Sequence, residues 1–322
     1  MFGSNDHYGH RAILTRYGGV ADGRAIPGLV QHGWNHDLGA TPEDIRHPAP
    51  DPFFLWSERN LRQCKRAGLD DRVVPLGAPF LYLPPVEQPV AAEPGSLLVV
   101  PIHGWEQEKI PHDFRQYAAE VAELRKSFRK ITVCLYWFDH QFPEYRQPFE
   151  DLGVEITTVG PRDRNPAFLH DLRRLMLRFE YVCSNRAQTA VFYALALGRK
   201  AFLYGPPIGV EGRLDHSGQL FDAWQRREYP ALVWEGFKDA CYREIGEDEL
   251  GLRYRREPAA LRELFLWEPG QAGELERRIE ARRALLRRRR WEGRVDEIRR
   301  RLRRLLPAAM SPGPRGPGAP SK

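Results

Sequence analysis

Between residues 97 and 204 the chain alternates short apolar runs with amphipathic helical ones, and few folds satisfy that alternation. Apolar runs at 97–102, 131–138, 154–159, 181–183 and 201–204 read as strands. The segments between them, 113–128, 144–152, 166–179 and 187–197, carry helical spacing, and Gly153 and Gly198 stop two of these helices. A strand that returns to its sheet through a helix makes a right-handed crossover, so these strands run parallel. The expectation for this half is a doubly wound domain.

A smaller version of the pattern precedes it. Strands are predicted at 26–31, 53–56 and 73–76, with a helix at 59–67 closed by Gly68 and another at 10–17 stopped by Gly18 and Gly19. The run VEQPVAAEPG, residues 86–95, has the composition of a linker. The expected fold class is therefore α/β, two Rossmann-like domains with a C-terminal helical extension. Residues 1–85 form a small N-terminal domain in this division, and 96–250 a second domain of the doubly wound kind that binds nucleotides. An arginine-rich helical extension covers 251–306, and 307–322 has the composition of a disordered tail.

Charge is unevenly placed. The chain carries a net +6, yet residues 274–304 alone hold 14 arginines against 6 acidic residues, so the body before them is mildly acidic. A basic isoelectric point is then no sign of a nucleic-acid partner, and none is expected. Leu285, Ile298, Leu302 and Leu305 can form an apolar seam among the arginines from Arg277 to Arg304. Such a helix suits peripheral contact with an anionic membrane. No apolar run approaches the roughly 20 residues of a membrane span, and the first ten residues lack a leader pattern. The expected location is the cytoplasm, at the inner face of the membrane. Cys64, Cys134, Cys183 and Cys241 are scattered and make no C-x-x-C pair, so neither a zinc site nor a disulfide framework is expected.

Open parallel sheets bind ligands beyond the carboxyl ends of their strands. A His-Gly-Trp triplet follows one strand in each half: His32, Gly33 and Trp34, extended by Asn35, and His103 with Trp105. Imidazoles there can act as acid, base or phosphate partner, so His32 and His103 are candidate catalytic groups, with Gly33, Trp34, Asn35 and Trp105 on the acceptor side. Glu58 and Asp139, also at strand ends, are candidate bases. Ser184 and Asn185 precede a helix whose free N–H groups suit a phosphate, with Thr189 in its first turn. Gly205 and Glu211 lie in a Gly- and Pro-rich segment where a carboxylate can accept from ribose hydroxyls. Arg162 and Arg164 are candidates for charge stabilisation. Asp-x-Asp is absent, as are the P-loop and dinucleotide fingerprints, so no metal or cofactor is expected.

The run from Tyr181 to Gly205 (YVCSNRAQTAVFYALALGRKAFLYG), taken with the earlier His32-Gly33, resembles the GT-B glycosyltransferase superfamily. It is similar to the donor-side segment of bacterial surface-polysaccharide enzymes of the CDP-glycerol glycerophosphotransferase type. The resemblance implies phosphate contacts from Ser184 and the helix amides after it, and a catalytic or acceptor-side role for His32. The function it implies is transfer of a sugar or alditol phosphate from a nucleotide-activated donor to a glycan or lipid-linked acceptor, in surface polysaccharide synthesis. The alternatives are a nucleotide-sugar epimerase or hydrolase on the same fold, and a non-catalytic binding protein.

Overall fold

The computed structural model describes residues 5–36, 52–69, 72–88, 90–104, 114–163, 165–209 and 218–305, the last part of the final helix as backbone alone. Its strands lie in two sheets, both parallel.

The smaller sheet places β1 (Leu29–Val30), β2 (Phe53–Leu55) and β3 (Val73–Pro75) side by side in that order. The run 26–31 pairs over only two residues. Pro27 has no N–H to offer a neighbouring strand, and a Cβ on Gly28 would sit 2.4 Å from the Pro52 carbonyl oxygen. Phe53, Phe54 and Leu55 are all buried, as expected of a strand covered on both faces.

The larger sheet contains β4 (Glu93–Val99), β5 (Lys130–Cys134), β6 (Glu155–Thr157), β7 (Phe179–Ser184) and β8 (Lys200–Leu203), in the order β6-β5-β4-β7-β8. This is a doubly wound order with β4 at its centre and a change of winding direction between β4 and β7. One side of its core joins Leu97, Val99, Ile131, Val133 and Phe202 to Phe114, Tyr117 and Val121 of α3 (Phe114–Glu123), each such side chain contributing about 1.5–3 kcal/mol. The segment expected as a linker, 86–95, ends inside β4, where Glu93 N–H donates to the Arg178 carbonyl and Gly95 N–H to Glu180.

Residues expected to begin the helical extension instead complete the smaller sheet's core. After β8 the chain runs through α7 (Gln219–Glu228) and α8 (Arg243–Leu250) and returns to the first sheet. Gly251, at φ +73°, makes the crossing; a Cβ there would fall 1.7 Å from the Trp56 carbonyl oxygen. Leu261 of α9 (Pro258–Leu264), Phe265 and Trp267 are then buried, Phe265 against Phe54, and Trp267 Nε1 donates to the Ala25 carbonyl at 2.7 Å. Their apolar spacing reads as a helix, but nothing local names the sheet it covers.

Both sheets belong to one compact unit that ends at Leu275. The final helix, α10 (Ala272–Leu305), supplies most of the described part of a second. Among the described residues no helix is long and apolar enough to cross a membrane.

Candidate functional site

The carboxyl ends of four strands of the larger sheet open into a cleft with about 720 Å³ of empty space. Val100, Pro101 and His103 follow β4; Leu135, Tyr136 and Trp137 follow β5; Thr158, Val159 and Gly160 follow β6. Gln188, Thr189 and Ala190 come from the turn after β7 and the start of α6 (Thr189–Ala196). The cleft therefore sits at the switch point, where a parallel sheet leaves room for a ligand. His32, just past β1 of the other sheet, and Tyr8 close it from the opposite side.

Aromatic rings form much of the wall: Tyr8, Tyr136, Trp137, Phe168 and Tyr193. No carboxylate, lysine or arginine is among the described lining residues; Arg162, next to the lining, lies over the Tyr8 and Tyr136 rings, 5.7 and 5.4 Å from their centroids, donates to the Tyr8 hydroxyl at 3.2 Å and pairs with Asp163 Oδ1 at 3.5 Å. A planar ligand matches that lining.

Burial holds the His32 imidazole well below its usual range, and the neighbouring His7, His10, Arg162 and His103 push the same way. It is held as a neutral ring. His103 stacks on Tyr136 with centroids 4.1 Å apart, and its Nδ1 lies 2.6 Å from the Gly104 carbonyl oxygen. A carbonyl only accepts, so Nδ1 carries hydrogen.

Other expected site residues fall elsewhere. Ser184 is fully buried, because β7 runs on to include it; its hydroxyl accepts from the Arg186 N–H and from Gln188 Nε2. Ser184, expected to contact phosphate, is therefore not among the residues that line the cleft. Asn185 is buried too, with Oδ1 accepting from Ile102 N–H at 2.9 Å, and it lines a separate cavity together with Gly205, Tyr204 and Asp222. Asn185 and Gly205 therefore face away from the cleft lining.

Glu58 begins α2 (Glu58–Arg66) bound to the Tyr254 hydroxyl and Arg253, and that hydroxyl bond keeps its carboxyl below the usual range. Asp139 is buried in the turn Asp139–Gln141. Neither lines the cleft, which leaves both without the reach a general base needs.

The residues after His32 act as a joint between the sheets. Trp34 N–H donates to Thr189 Oγ1, and Trp34 Nε1 donates to Glu249 at 2.8 Å. Glu249, nearly buried on α8, also receives Arg59 and the Tyr229 hydroxyl, both at 2.7 Å. Gly33 accepts from Gln31 Nε2 through its carbonyl, and the Asn35 carbonyl accepts from Asn60 Nδ2. Trp105, Arg164 and Glu211 lie outside the described residues.

Sequence reasoning missed the turn at His7–His10. Tyr8 lines the cleft, and the His7 and His10 ring centroids lie 4.5 and 6.5 Å from that of His32. The pattern His-Tyr-Gly-His at a helix start was the available signal.

No family model matches this chain, and no curated protein matches it. Among solved structures it is similar to a UDP-GlcNAc 2-epimerase from Neisseria meningitidis bound to UDP-GlcNAc, at 13% identity and a TM-score of 0.36, over 75% of this chain and 70% of that one. It is also similar to the wall teichoic acid polymerase TagF, at 10% identity and a TM-score of 0.29, over 81% of this chain and 68% of that one. Likenesses this faint carry no functional weight, and the chemistry rests on the cleft.

Proposed function

We propose that this chain is an enzyme of the GT-B kind that transfers a sugar or alditol phosphate from a nucleotide-activated donor to a glycan or glycoconjugate acceptor in surface polysaccharide synthesis. The observation that carries the reading is the meeting of His32, His103 and the first turn of α6 in one cleft that has aromatic walls and no described carboxylate lining it. The aromatic rings suit a base. The start of α6 and Arg162 suit phosphates, through free N–H groups and a planar cation. With the anionic donor bound beside it to offset the neighbours that oppose its proton, His32 takes the proton of an acceptor hydroxyl as that oxygen attacks, and the nucleotide leaves with its charge already met. The two sheets correspond, in this reading, to acceptor and donor sides, and the arginine-rich helix holds the enzyme beside membrane-borne acceptors.

Titration calorimetry with UDP, CDP, CMP and GDP, on the unaltered chain and on His32→Ala and Arg162→Met, tests the reading. Binding of one nucleotide that Arg162→Met weakens, with acceptor-dependent turnover that His32→Ala abolishes, is the expected result. No binding by any of the four rejects the proposal. Conversion of a sugar nucleotide without acceptor would replace transfer by epimerisation or hydrolysis.

A further inference from the structure

The residues that surround His32 come from one short turn, and that turn is strained. Asn5 ties its start to the smaller sheet, donating to the Gly28 carbonyl and accepting from Val30 N–H, both at 2.9 Å. The chain then reaches the loop after β6, where Tyr8 N–H donates to the Arg162 carbonyl at 3.0 Å. Tyr8 has φ +56° and Gly9 has φ +75°, two left-handed residues in succession. For a tyrosine this conformation costs about 1–2 kcal/mol. At Gly9 a Cβ would lie 2.2 Å from the Pro166 carbonyl oxygen. Strain held this firmly points to a use for what it presents.

What it presents is a ring cage. The His7, Tyr8 and His10 centroids lie 4.5, 4.8 and 6.5 Å from that of His32. His7 is itself held: its Nδ1 is 2.5 Å from Asp163 Oδ1, across 156 residues of sequence. A carboxylate only accepts, so Nδ1 carries the hydrogen and the ring is fixed in the plane of that bond. It meets His32 edge to face at 72°.

We propose that His7 and Asp163 are a positioning pair for His32, holding its imidazole in one orientation at the cleft. The inference rests on the reading that His32 works in that cleft. After burial, His7, His10, Arg162 and His103 each weigh against a proton on His32, and Asp163 holds His7 in its place among them. The pair thus sets the aim of His32 without touching a ligand.

Ring-nitrogen NMR on the full chain, recorded without nucleotide over roughly pH 5 to 8, tests the pair apart from the nucleotide reading. His32 is expected to give one set of sharp ring signals throughout. His7→Phe keeps a ring but removes the bond to Asp163, and Asp163→Leu removes the acceptor, so in both the His32 ring signals shift and broaden. Asp163→Asn, whose amide oxygen still accepts from Nδ1, restores them. Should His7→Phe fail to fold, Asp163→Leu decides alone, since that side chain is 41% exposed. His32 signals that do not move in Asp163→Leu overturn the proposal.

Discussion

The Thr189 hydroxyl accepts the backbone N–H of Trp34 at 2.9 Å, which fastens the loop after β1 of one sheet to the first turn of α6 behind the other. The bond fixes where His32, two residues earlier, sits relative to the helix start. Thr189→Val keeps the shape and leaves that N–H without its acceptor, at a cost of about 1–3 kcal/mol. Chemical denaturation measures the loss. The same variant is expected to weaken nucleotide binding, because the two walls are no longer pinned; equal stability and affinity would remove the joint from the argument.

The larger sheet is legible in sequence because its inner strands are covered on both faces, as the buried runs Leu97 to Val99 and Ile131 to Cys134 show, while the edge strand β6 is only half covered. His32 and His103 are legible for a related reason: strand ends in such a sheet point at its cleft. Ser184 was misplaced by one residue of strand. β7 keeps Ser184 inside the sheet and α6 starts at Thr189, so a side chain expected at the helix mouth lies beneath it. Local pattern cannot separate those two registers. The Asp163–His7 pair and the packing of Phe265 on Phe54 join distant parts of the chain, and a single sequence carries no sign of either.

Gly251 tests the return of the chain to the smaller sheet. Alanine there must adopt φ near +73° and place its Cβ on the Trp56 carbonyl oxygen. Left-handed strain alone costs about 1–2 kcal/mol, and relief of the clash must part α8 from the first sheet, so the expected loss is about 4 kcal/mol or more. A urea titration of Gly251→Ala with an unchanged midpoint would show that this crossing is not tight.

Acid stability follows from His10. Burial, and the nearby His7, lower its pKa from 6.5 to about 3. An unfolded chain protonates this imidazole below pH 6.5 while the folded one resists until about pH 3. The unfolded state then binds more protons across that window, so stability is full above it and falls as pH drops through it, by up to about 1.4 kcal/mol per pH unit. His32 acts in the same direction. His10→Asn is expected to flatten the slope by close to one proton. Equal slopes in the two proteins would mean that His10 already titrates in the fold.

The arginine-rich helix makes a prediction that needs no nucleotide. Trp291 is 67% exposed on α10, and Arg287 and Arg288 beside it are exposed as well. An indole with basic neighbours suits the boundary of an anionic bilayer, where each arginine contributes about 1 kcal/mol and the ring enters the headgroup layer. Arginines this dense repel a second copy of the same helix, which disfavours self-association as the use of the surface. Sedimentation with vesicles of phosphatidylcholine, with and without phosphatidylglycerol, separates the terms. The chain is expected to pellet only with the anionic lipid, less so as salt shortens the screening length to roughly 3 Å near 1 M. Trp291→Ala should weaken binding at every salt concentration, and Arg287→Glu with Arg288→Glu should weaken it most at low salt. Equal pelleting with both vesicle types would take the arginines out of any membrane contact and leave their charge as a solvated surface, and no pelleting with either would end the membrane reading of the helix.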